Sequence, residues 1–102
     1  MATSTIPQGL GGANAIIARI GATGGTFSLS NTYRGLLAII DTTQSFCGLY
    51  FLGTTGGGTV RLFPIVAQTG GNITTSVANQ ISLSFSATCT VMLLTLLGTA
   101  TY

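Results

Sequence analysis

Histidine, lysine, glutamate and tryptophan are absent from the 102 residues, and Arg19, Arg34, Asp41 and Arg61 are the only charged side chains. Soluble domains ordinarily carry about a quarter of their residues as charged groups. General acid–base catalysis needs a group that exchanges protons near neutral pH, and the chain offers one carboxylate and no imidazole. Ser, Thr or Cys would find no adjacent base to take a proton, and a paired-carboxylate hydrolase cannot be built from Asp41 alone. Two cysteines without a histidine cannot complete a tetrahedral zinc site within one chain. The sequence therefore predicts a non-enzymatic protein without cofactor or metal.

Other classes fall to the same scarcity. Three arginines spread from residue 19 to residue 61 cannot neutralise a run of phosphates, which argues against nucleic acid as partner. No window reaches the about 18 to 20 apolar residues that span a bilayer as a helix, because residues 35–53 are cut by "DTTQS". "MATSTIPQGLGG" has neither the basic start nor the apolar core of a secretory signal. The expectation is synthesis in the cytoplasm without export by that route and without membrane insertion.

What the chain does have is threonine, serine and glycine: 18 Thr, 8 Ser and 15 Gly. β-branched residues abound and helix formers are few, which predicts an all-β domain. Gly and Asn clusters punctuate it at "GATGG" (21–25), "SNTY" (30–33), "DTTQS" (41–45), "GTTGGG" (53–58), "TGGN" (69–72) and "SATCT" (86–90). They leave eight candidate strands near 15–20, 26–30, 35–41, 46–53, 59–67, 73–77, 80–86 and 89–97. This is the pattern of an antiparallel β-sandwich, jelly roll or small barrel. Residues 1–12 read as a flexible leader and 13–102 as one sandwich domain. "ANAIIARI" (13–20) fits a strand or a short helix capped by Asn14. Pro64 cannot donate to a ladder, so its segment should be an edge strand or bulged. Cys47 and Cys89 read as small buried thiols, a single disulfide being the alternative. An echo between "SLSNTYRGLLAII" and "SFSATCTVMLLTL" suggests two similar polar-strand, turn, apolar-strand units.

"FSLS" and "ISLSFS" alternate, placing Phe27, Leu29, Ile81, Leu83 and Phe85 on one face and serines on the other. The runs at 35–40, 49–52 and 91–97 are apolar on both faces. A sandwich buries only the inner face of each sheet, so these strands need a second cover. That cover is expected to be another copy of the chain, with Leu36, Leu37, Ile39, Leu49, Phe51, Met92, Leu94 and Leu96 as candidate interface residues. Loops of the same chain are the alternative. A mean hydropathy of +0.65 and a net charge of +2 suit self-association.

Candidate ligand contacts are Tyr33, Arg34, Tyr50 and Asn72, since neutral glycans are bound by amides, hydroxyls and an aromatic face without charge. Tyr102 is a third such aromatic. "GTTGGGTV" lacks the lysine and following helix of a phosphate loop, and "NIT" at Asn72 is a chance glycosylation match without a secretory signal. Arg34 and Asp41 should lie at opposite ends of one strand.

The arrangement "TFSLSNTYRGLLAII", "GLYFLG" and "NITTSVANQISLSFSATCTVMLL", over residues 26–97, resembles the C-terminal tip domains of bacteriophage tail and head fibres. Tyr33, Arg34, Gly35, Leu36, Asn79 and Ile81 carry the likeness. It implies an eight-stranded homotrimeric sandwich on the virion surface, apolar strands on the axis and distal loops touching a host-surface glycan or polysaccharide. A structural subunit, such as a capsid decoration or filament protein without a ligand, is the competing expectation.

Overall fold

In a computed structural model that describes residues 15–41 and 46–102, nine strands form and no helix. They are β1 (Ala15–Ile20), β2 (Gly25–Leu29), β3 (Arg34–Asp41), β4 (Phe46–Thr54), β5 (Val60–Thr69), β6 (Asn72–Thr74), β7 (Gln80–Ser84), β8 (Cys89–Leu97) and β9 (Ala100–Thr101). Five strands make one sheet in the order β1-β8-β3-β4-β5, and four make the other in the order β6-β7-β2-β9. Every pairing is antiparallel. The fold is two packed sheets and not a closed barrel. Residues 15–20 are strand, because β1 pairs with β8 over its whole length and no helical partner face exists. The two echoing segments both cross between the sheets, β2 to β3 and β7 to β8. The leader, residues 1–12, lies outside the described residues, as does most of the "DTTQS" turn.

The strands sort by pattern. β2, β6 and β7, which alternate apolar with hydroxyl, share the four-stranded sheet, while the doubly apolar β3, β4 and β8 sit side by side in the larger one. The core lies between them: Phe27, Leu29, Ile81 and Leu83 from the small sheet meet Ile20, Leu37, Ile39, Leu52, Val91 and Leu93 from the large one. Burial of such side chains contributes about 1.5–3 kcal/mol each.

Leu37 and Ile39 therefore belong to this core and not to an outward interface, at 0 % and 1 % exposure. The alternation of a strand sends odd residues of β3 inward and even ones outward, a parity that an unbroken apolar run conceals. Cys89 is buried as expected, but Cys47 is exposed, and both are free thiols. β9 carried no legible signal in two residues; it pairs with β2 at Ser28 and Leu29. Pro64 lies on the edge strand β5, beside the β4–β5 register shift between Leu49 and Tyr50, the setting in which a strand tolerates a residue without an N–H.

The end of the sandwich near Ser30–Arg34 is tied down. Thr54 Oγ1 donates to Ser30 O at 2.7 Å and accepts from Tyr33 N at 2.9 Å. Asn79, at φ +60°, donates through Nδ2 to Leu29 O and Asn31 Oδ1. Asn tolerates this left-handed geometry better than most residues.

The outer face of the five-stranded sheet as candidate functional site

Register fixes what the outer face carries. One cross-strand row runs Ala15, Leu94, Leu36, Phe51, Phe63, and the next runs Ile17, Met92, Ala38, Leu49, Val66. Side chains in register share a face, so ten apolar residues form a continuous surface across all five strands. Arg19, Thr90, Ile40 and Cys47 close one end, Arg19 donating to Thr90 Oγ1 at 3.2 Å. Arg34, Gly53 and Arg61 close the other. All three cations of the chain thus border one face.

Six apolar side chains of this face and its two ends stand well out of the surface: Ile17, Phe51, Phe63 and Val66 from the rows, Ile40 at one end and Leu96 beside Arg34 at the other, between 48 % and 70 % exposed. At roughly 100 Å² of accessible side chain apiece they leave on the order of 600 Å² of apolar area. That is at the upper end of what monomers expose, and near the roughly 800 Å² that each partner buries in a standard interface. Of the sequence-derived interface residues, Leu36, Leu49, Phe51, Met92, Leu94 and Leu96 come together here. Leu94 is covered by its neighbours in the row, at 8 % exposure.

The opposite outer face is of another chemistry. Thr26, Ser82, Ser84, Asn72 and Thr74 line a shallow hollow on the four-stranded sheet, with Thr26 Oγ1 and Ser82 Oγ sharing a hydrogen bond of 3.0 Å. Asn72, a sequence-derived ligand contact, is exposed on its rim. No aromatic side chain lines this hollow.

Tyr33 and Tyr50 are not available as ligand contacts, being 0 % and 7 % exposed. Tyr33 lies across Gly35, where an added Cβ would stand 2.6 Å from Tyr33 Oη and 2.5 Å from Leu94 O. Its hydroxyl shares a 2.8 Å hydrogen bond with Thr95 Oγ1. Burial pushes its pKa above the ordinary tyrosine value, the Thr95 bond working the other way. Tyr50 sits inward with Leu52, which shares its face of β4 two residues on, and both belong to the core cluster.

Arg34 is exposed, yet fixed. Its Nη1 donates to Tyr33 O and Thr54 O, both at 2.7 Å, so the guanidinium is held against the loop backbone. The residues that sequence reading missed are Arg61, Phe63 and Ile17. A period-two reading of "VRLFP" puts Arg61 and Phe63 on one face, a signal that Pro64 interrupts after one repeat.

Among the described residues no group of His, Cys, Asp and Glu could hold a metal ion, and no helix is long and apolar enough to cross a membrane. Compared with protein-family models, curated proteins and solved structures, the chain matches none.

Proposed function

We propose that the protein is a non-enzymatic, self-assembling module of a virion, serving as a fibre tip. Copies pack through the apolar outer face of the five-stranded sheet and turn the hydroxyl-bearing sheet outward to a host-surface glycan or polysaccharide. The observation that supports this is the two-faced sandwich: ten apolar residues on one outer face, hydroxyls and an amide on the other. A closed homotrimer is the assembly that the likeness to fibre tips implies, and it would leave no apolar face in water. The burial of Tyr33 and Tyr50 removes two aromatic platforms for a sugar, and this favours a second reading, a structural subunit without ligand.

A panel of neutral surface polysaccharides, probed with the assembled protein and with Asn72→Ala, separates the two. Saturable binding weakened by the substitution is expected of the fibre tip. Binding to none, together with open filaments or lattices in electron micrographs, would replace it by the structural subunit.

A further inference from the structure

At the arginine end of the apolar face lies an open groove of about 390 Å³, within the size range of small-molecule sites. Phe51, Phe63 and Leu96 supply its apolar walls, and Arg34 and Arg61 its only charges. Leu96 is the extra residue where the β3–β8 register shifts between Arg34 and Gly35, which brings it into the groove.

Arg34 and Arg61 both stand opposite Gly53 on the flanking strands, two strand spacings or roughly 10 Å apart. Gly53 offers no side chain between them; a Cβ there would already be 3.3 Å from Arg34 Nη1. Arg34 uses Nη1 on two backbone carbonyls, which orients the guanidinium and leaves Nη2 and Nε to donate. Arg61 is exposed and has no hydrogen-bond or ion-pair partner among the described residues. The one carboxylate, Asp41, is at the far end of β3, roughly 23 Å along the strand. A second copy of the chain brings one more aspartate against three more arginines, so self-association leaves an excess of positive charge.

From two cations without a carboxylate partner among the described residues, set over an apolar floor, we propose that the groove binds a small amphipathic monocarboxylate. The carboxylate head lies between Arg34 and Arg61 and the alkyl or aryl body on Phe51, Phe63 and Leu96. A guanidinium presents a planar fork of donors that matches a carboxylate, and such charge-assisted bonds are about twice as strong as neutral ones.

Amide chemical shifts of the purified protein, titrated with sodium decanoate below its micelle concentration, test this. Acetate supplies the head alone and decanol the tail alone. The expected result is saturable movement of the Gly53, Thr54 and Phe63 amides with decanoate, with both controls at least about tenfold weaker, and Arg61→Gln weakening decanoate by about tenfold. Decanol binding as tightly as decanoate, movement spread evenly to Ile17 and Met92, or an unchanged response in Arg61→Gln would each overturn the proposal. Phe51, Phe63 and Leu96 also lie on the face proposed for self-association, so the carboxylate and a second copy compete for them, and the mass recorded in the same samples should fall toward that of the monomer as decanoate saturates. A saturable decanoate response from a protein that is monomeric throughout refutes the assembly alone, and no response from a protein of constant mass refutes the groove alone.

Discussion

Replacing Phe51 by serine should dissolve the proposed assembly while sparing the fold, and the exposure of Phe51 sets the size expected of both effects. Phe51 is 53 % exposed, so a partner would cover roughly 100 Å² of it, worth about 2.5 kcal/mol per copy. Two copies at one interface lose about 5 kcal/mol, and because association spends part of such area elsewhere, a dissociation constant raised about 10² to 10³-fold is expected. The isolated fold should lose no more than about 1 kcal/mol, the span of strand propensities. Leu37→Ala is the counterpart: fully buried on the opposite face of the same sheet, it should cost about 2–5 kcal/mol of unfolding free energy. Sedimentation gives the first quantity and denaturant unfolding at a concentration where both variants are monomeric gives the second. If Phe51→Ser destabilises the fold as much as Leu37→Ala, or leaves the mass unchanged, the division into inner and outer faces is wrong.

Three further outcomes follow from single residues. Because burial raises the Tyr33 pKa, the unfolded state loses this proton first as pH rises past about 10, so stability present below that pH should fall on the way to the raised folded value; Tyr33→Phe should flatten that part of a melting-temperature profile. Cys89 is buried and its thiol pKa is likewise raised, chiefly by desolvation, so a thiol reagent should modify Cys89 only after unfolding, as read by peptide mass; rapid labelling of native Cys89 would contradict its place in the core. Gly35→Ala would drive a Cβ against Leu94 O and the Tyr33 ring, so a loss on the order of 2–4 kcal/mol in denaturant unfolding is expected, and a neutral result would refute the packing of Tyr33 across Gly35.

Strands, their order of appearance and their division between sheets were largely legible, because Gly and Asn clusters mark the turns and the serine alternation of "FSLS" and "ISLSFS" separates one sheet from the other. Parity within "GLLAII" was not. Five consecutive aliphatic residues fit either phase, and only the pairing of Leu36 with Phe51 and of Leu37 with Tyr50 decides which of them face inward. The same ambiguity misplaced Tyr33 and Tyr50, whose hydroxyls suggested a surface role although partners or position could be found inside the sandwich. The groove was illegible for another reason: Arg34, Arg61 and Leu96 are distant in sequence, and only the β3-β4-β5 order and the shift beside Gly35 bring them together.

The central claim is that a second copy of the chain covers the apolar outer face. Its most direct test is the mass of the purified wild-type protein by light scattering, followed through serial dilution at moderate salt. One closed species of defined mass that persists to micromolar concentration is expected. A stable monomer at those concentrations, with Phe51 and Phe63 left in water, would contradict it.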